Sequence, residues 1–296
     1  MKINELQKQN IGATQSIKAI VSKNEILKDK NKNDYLSLGL TDSTGTINVA
    51  VFNDFEAIKN IEIGTPVLVT GTINEWNGIK GLKNISVRYL NQEEYNKEDF
   101  IKSYDENIVL VDMLFKKIKS MKEPWKSFTL KALDEETFSK FIECPSAEKY
   151  HGNKLRGLFY HTMGMLVTAS NIFRTYNKEG LISVYGNLSD KVDIDRIYCK
   201  IILHDLGKIY EYEYNTFIRR IPGVLGHIED GICIIDRINR ELNNILTREQ
   251  VEDLKYSILS HHGQYGKYEP KTFDDIFLHL LDMIDSRVVG TIEEDK

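Results

Sequence analysis

The sequence is poor in the features that would place a chain outside the cell or across a membrane. It has only three cysteines, Cys144, Cys199 and Cys233, in 296 residues. That odd, unmotifed set supports neither a disulfide framework nor a thiolate zinc site, and it suits a reducing cytoplasm. No stretch approaches the ~18 consecutive apolar residues of a spanning helix, so no membrane partner is expected. The opening MKINELQKQN is polar where a secretion signal would carry an apolar core. An excess of one charge is also lacking: 39 Lys+Arg stand against 44 Asp+Glu, for a formal net charge of −5. A chain so balanced is no general nucleic-acid coat, and contact with nucleic acid needs a local basic groove. Internal repeats and low-complexity tracts are absent as well.

What is present falls into two halves. Alternating or β-branched segments run over Ser16–Leu27, Tyr35–Thr41, Thr46–Phe52, Pro66–Glu75 and Ile79–Tyr89. Turn chemistry separates them: Asp42-Ser43-Thr44-Gly45 between the second and third, Asn77-Gly78 between the fourth and fifth. A helical stretch over Asp54–Ile61, with Asp54 as its cap, is expected between the third and fourth strands. Five strands with a helix at that point is the order of an OB-fold β-barrel. From Gln92 onward the period becomes helical, over Ile108–Met121, Trp125–Leu133, Glu135–Glu143, Leu155–Asn177, Asp193–Tyr212, Val224–Asn244 and Arg248–His261. In a last helix Phe277, Leu280, Leu281, Ile284 and Val288 repeat as a core-facing stripe. The expected fold class is therefore multidomain α+β, a five-stranded barrel followed by an all-α bundle.

The chemistry concentrates in the helical half, which holds all seven histidines. His161 sits inside a long apolar helix, His204-Asp205 follows an apolar turn, His227 opens a helix and His261-His262 closes one. Asp282 lies in LHLLDMIDSR, an apolar setting with no lysine or arginine three or four residues away. A buried carboxylate without a partner is costly unless it meets a cation. Imidazole and carboxylate together suit a divalent transition metal, and a bundle can hold such an ion between helices. Lys208, four residues after His204, shares its helix face. His279 reads as a surface or packing residue, and His151 as a loop residue or part of a pocket mouth.

The order His161 … His204-Asp205 … Asp282 resembles the metal signature of the HD phosphohydrolase superfamily, with His227 and His261/His262 resembling its two-metal branch. HDLGK, VLGHI and LSHHG, set behind an OB domain, are similar to the YhaM family of 3′→5′ exoribonucleases. That resemblance implies an OB-fold nucleic-acid-binding domain over 1–91, a helical connector over 92–150 and an HD metal-dependent domain over 151–296. It implies that His161, His204, Asp205 and Asp282 hold one metal. Asp205 would bridge to a second, completed by His227 and by His261 or His262, with His261 preferred. His262 would then touch substrate or orient a ligand, Lys208 would meet a phosphate, and Asp285 would orient a histidine. Asp205 and Lys208 are thus the expected catalytic pair, with two divalent ions as cofactors: Mn²⁺ foremost, with Co²⁺, Fe²⁺, Mg²⁺ or Zn²⁺ as alternatives. HHGQYGKYEP lacks the HHE…GYP run of cyclic-dinucleotide phosphodiesterases, so cyclic dinucleotides are poor candidates.

The implied activity is hydrolysis of single-stranded RNA, or of single-stranded DNA as well, from the 3′ end to nucleoside 5′-monophosphates by metal-activated water. Two other readings stand beside it: an HD hydrolase of nucleotides or other small phosphoesters, and a non-catalytic nucleic-acid-binding protein with a structural metal. A homo-oligomer is compatible with all three. On the OB domain, Tyr35, Phe52, Trp76 and Tyr89 are candidates for stacking on bases, and Lys80, Lys83 and Arg88 for phosphates. Residues 1–95 carry 11 Lys+Arg and 11 Asp+Glu, so binding there should be salt-sensitive and modest. Removing residues 1–95 separates the first two readings. A polymer nuclease loses affinity or processivity on long RNA, whereas a nucleotide hydrolase keeps its turnover of small substrates.

Overall fold

The structure is a computed structural model that describes residues 1–148, 152–178, 181, 182, 184 and 186–294, with the side chains of 189, 293 and 294 outside that description. The chain divides into two compact units, Met1–Ser103 with Tyr214–Ile218, and Tyr104–Glu213 with Arg219–Lys296.

The first unit is built on one five-stranded antiparallel sheet. Its strands are β1 (Thr14–Lys28), β2 (Asp34–Asp42), β3 (Gly45–Val51), β4 (Pro66–Trp76) and β5 (Ile79–Tyr89), in the spatial order β3-β2-β1-β4-β5. Alternation decides which face is buried: Ile17, Ala19 and Val21 on β1 meet Val67, Val69 and Ile73 on β4 and Leu38 and Leu40 on β2 in one apolar core. Both turn signatures act as their chemistry dictates. Buried Asp42 accepts the Thr44 N–H at 2.7 Å and the Gly45 N–H at 3.1 Å, so its side chain folds the β2–β3 turn. Asn77 (φ +52°) and Gly78 (φ +78°) are both left-handed between paired Trp76 and Ile79, as a two-residue hairpin turn requires.

The helix expected over Asp54–Ile61 shrinks to a single 3-10 turn, Phe55–Ala57. Asp54 is left-handed at φ +55° and makes no capping hydrogen bond, and within the segment only Ile61 is fully buried. With neither a cap nor an apolar face, a longer helix has nothing to hold it.

The second unit is helical: α1 (Ile108–Ser120), α2 (Trp125–Ala132), α3 (Glu135–Glu143), α4 (Gly157–Tyr176), α5 (Ile194–Leu203), α6 (Lys208–Glu211), α7 (His227–Glu241), α8 (Arg248–Ser260), α9 (Phe273–Met283) and α10 (Gly290–Glu294). A small hairpin pairs Tyr212-Glu213 with Arg219-Arg220, and a π-helical turn, Ile284–Val289, joins α9 to α10. Two sequence expectations change here. The helix expected over Asp193–Tyr212 breaks after Leu203, where His204–Gly207 form turns before α6. The last apolar stripe faces the core only in part: Leu281 is buried, with Leu278, beside Asp274 and Asp275, whereas Leu280, Ile284 and Val288 are exposed. The inner side of α9 carries carboxylates because they have partners there.

Those partners form a buried charge cluster. Lys200 of α5 is 2% exposed and lies 2.8 Å from Asp253 of α8 and 3.1 Å from Asp274 of α9. Arg196 meets Asp274 at 2.6 Å, and Ser257 of α8 donates to Asp275 at 2.6 Å. The cluster ties α5, α8 and α9 one or two turns before His204, His261 and Asp282.

Among the described residues no helix is long and apolar enough to cross a membrane. Cys144 and Cys199 are buried while Cys233 is exposed, and burial pushes the Cys199 thiol up to about 12. A raised thiol stays protonated and unreactive at pH 8. Ellman's reagent at that pH should therefore titrate one thiol in the native protein and three after denaturation.

Candidate metal centre

Asp205 stands at the middle of the site, 3% exposed in the tight turn after α5. Its two oxygens face two different groups of side chains. Around Oδ2 lie His204 Nε2 at 3.4 Å and His161 Nε2 at 3.8 Å; the latter is also 3.4 Å from Asp282 Oδ1. Around Oδ1 lie His227 Nε2 at 3.6 Å and His261 Nε2 at 3.7 Å. His161, His204 and Asp282 each offer a ligand atom within 4.8 Å of the others, and so do His227, His261 and His262. All six expected ligands and His262 are thus brought together, divided by Asp205 into two groups.

Four of the imidazoles are oriented alike. The partner of Nδ1 is Asp285 Oδ2 for His161 (2.7 Å), Ile201 O for His204 (2.8 Å), Glu211 Oε2 for His227 (2.6 Å) and Ile258 O for His261 (2.6 Å). Each partner can only accept, so each Nδ1 carries a proton and each Nε2 is turned inward. His161 Nε2 and His204 Nε2 then face one another 3.3 Å apart, and against the effect of burial the neighbouring Asp205 carboxylate raises the His204 imidazole above its usual value. Asp205 Oδ1, His227 Nε2 and His261 Nε2 are buried with no hydrogen-bond partner. Such convergence of unpartnered polar atoms is unfavourable by itself and fits a divalent cation.

Charge follows the same logic. Burial works against ionisation of Asp205, yet the Lys208 ammonium at 2.6 Å and His204 hold its carboxyl well below the usual range. Burial pushes His261 and His262 down, keeping both neutral. Lys208 pairs with Asp205, three residues before it, rather than standing over His204 as helical spacing suggests, because the chain leaves the helix after Leu203.

Several supporting residues carry no sequence motif. Glu211, 4% exposed, accepts both the Nδ1–H and the backbone N–H of His227. Gly207 lies so close to α7 that a Cβ there would sit 2.0 Å from the His227 carbonyl, and a Cβ on Gly164 would sit 2.3 Å from Asp285 Oδ1. Both glycines permit backbone approaches that set a histidine. His279 is a packing residue, its Nδ1–H donating to the His261 carbonyl at 2.7 Å. His151 lies outside the described residues.

On the first unit the candidate contacts are spread out. Tyr35 and Phe52 stack at 5.2 Å, with Phe52 exposed rather than in the core. Trp76, at the tip of the β4–β5 hairpin, is 77% exposed, and Tyr89 is exposed at the far end of β5. Lys83 is exposed. The Lys80 ammonium is already used on the carbonyls of Gln7 and Gln9, and Arg88 forms a bidentate pair with Glu94.

Two family models match the chain: "HD domain" over residues 158–287 and "OB-fold nucleic acid binding domain" over residues 15–90. The class is thereby defined, an HD-domain protein carrying an OB-fold nucleic-acid-binding domain, and an enzyme of the HD hydrolase superfamily. Within that class the chain is a relative of the YhaM proteins. It is 29% identical over 267 residues to the 3′-5′ exoribonuclease YhaM of Oceanobacillus iheyensis, covering 87% of this chain and 79% of that one. The YhaM proteins of Bacillus licheniformis and Bacillus subtilis are each 28% identical, with 87% of this chain and 80% of theirs covered.

Residues that orient metal-bound histidines typically change metal affinity ~10–100-fold. Glu211→Gln and Gly207→Ala should each weaken divalent-cation binding by about that factor, read by titration calorimetry, with the helical circular dichroism retained.

Proposed function

We propose that this protein is a metal-dependent 3′→5′ exonuclease that hydrolyses single-stranded RNA to nucleoside 5′-monophosphates. The observation that carries the reading is the division of Asp205, one oxygen toward His161 and His204, which cluster with Asp282, the other toward His227 and His261. In this reading the first group with Asp205 holds one divalent ion, and Asp205, His227, His261 and His262 hold a second, with Mn²⁺ the first choice. Divalent ions at such positions supply a readily ionised water and withdraw charge from a phosphoryl oxygen.

The chain's own residues do the rest. Asp285 and Glu211 accept from the Nδ1–H of His161 and His227 and so hold each ring with its Nε2 turned toward the site. Lys208 neutralises Asp205 in the structure described; a cation held by that carboxylate would take over this role and leave the ammonium available to a substrate phosphate.

The polymer substrate rests on the first unit. Its strand order leaves β3 and β5 as the two edges, and we propose that they close as an OB barrel. The proposed domains are 1–91 for nucleic acid, 92–150 as connector and 151–296 for hydrolysis, in a cytoplasmic protein. Trp76 and the Tyr35–Phe52 stack offer π-faces to bases, and Lys83 is free to meet a phosphate. The names of the YhaM relatives favour RNA over DNA.

A time course on 5′-labelled single-stranded RNA tests this. A ladder shortening from the 3′ end with Mn²⁺, abolished by EDTA, is the expected result, with nucleoside monophosphates released. Asp205→Ala should lose all turnover, and residual activity above a few per cent would remove the bridging role. RNA left intact while nucleotides are hydrolysed would move the reading to a small-phosphoester hydrolase.

A further inference from the structure

A cavity of about 670 Å³ opens directly beside the metal centre, within the roughly 300–1,000 Å³ typical of small-ligand sites. His161, Asp205, Lys208, His262 and Asp282 form one wall. The opposite part is made by residues that the metal chemistry does not use, chiefly Tyr265, Ser286, Arg287 and Gly290.

Local backbone explains how these reach the cavity. Tyr265 follows the histidine pair through a 3-10 turn in which its N–H bonds the His262 carbonyl at 3.1 Å. Arg287 comes five residues after Asp282, which on an α-helix would point about 140° away from it. The π-helical turn over Ile284–Val289 widens the spiral, and both side chains line one cavity. The Arg287 guanidinium lies 4.9 Å from the centroid of the Tyr265 ring, which is 61% exposed. Arg287 forms no ion pair with a carboxylate among the described residues, although acidic residues are common in this chain. An exposed aromatic ring with a guanidinium beside it, both lining a cavity, is the kind of surface an unpaired base stacks upon.

Resting on the nuclease reading above, we infer that Tyr265 and Arg287 form the platform for the base of the substrate's 3′-terminal nucleotide. The terminal base rests on the pair, and the phosphate 5′ to that nucleoside lies between Lys208 and the metal centre. The cavity then holds one terminal nucleotide rather than a continuing strand, which makes attack exonucleolytic. Stacking does not read hydrogen-bond patterns, so the platform accepts all four bases.

The test uses the full-length protein and two ratios. The first is kcat/KM on single-stranded RNA ending in a normal 3′ nucleotide over kcat/KM on the same RNA ending in an abasic ribose. The second, measured in EDTA, is the affinity for AMP over that for ribose 5-phosphate. In the wild type each ratio should be about 5 to 150, the worth of one stacked base. Tyr265→Ala should bring both toward one, and Tyr265→Phe, which keeps the ring, should restore them. Ratios near one in the wild type, or ratios that survive Tyr265→Ala, overturn the platform. RNA shortened normally with such ratios leaves the nuclease reading standing without this subsite. An AMP preference lost in Tyr265→Ala, in a protein that cuts no RNA, keeps the subsite and removes the polymer reading.

Discussion

Everything in the helical unit depends on one unfavourable juxtaposition, several buried lone pairs turned toward a single carboxylate. Placing Asp205 in the interior costs its hydration, and Lys208 answers only one of its oxygens. The other faces two imidazole nitrogens that cannot donate to it. No rearrangement within the unit relieves this easily, because each ring is fixed from behind by its Nδ1 proton. The chain has spent stability on an arrangement that a cation would reward, which is the usual signature of a functional site.

The supports of that arrangement are distributed unevenly. His204 and His261 are held by carbonyls of their own helices, three residues back, so their orientation comes with the backbone. His161 and His227 depend on side chains from elsewhere, Asp285 and Glu211, and on close approaches at Gly164 and Gly207. The two groups of ligands therefore each combine one histidine set locally with one set by tertiary structure. Errors in packing would first misplace His161 and His227.

Much of this arrangement is legible in the amino-acid order. The five strands lie within a few residues of where alternation and turn chemistry place them, since Asp42 and Asn77-Gly78 act locally. The order of histidines and aspartates marks the metal cluster because each residue sits in an apolar stretch that otherwise has no use for it. What escapes such reading is tertiary. Glu211 looks like one of many surface glutamates in KIYEYEY until α6 turns it inward. Gly207 and Gly164 matter for what touches them, which no spacing reveals. The stripe Leu280, Ile284 and Val288 has helical period but faces outward, because Asp274 and Asp275 find Lys200, Arg196 and Ser257 on the inner side. The π-helical turn after Met283 then shifts the period itself.

The buried ion cluster around Lys200 has a consequence for how the protein meets its metal. It clamps α5, α8 and α9 just before they deliver His204, His261 and Asp282, and removing one member of such a buried network costs about 3–5 kcal/mol. The three helices that deliver these side chains are thus tied to one another by the chain's own charges. A cation that binds only the folded protein would then add thermal resistance by mass action, as the logarithm of its concentration over the dissociation constant.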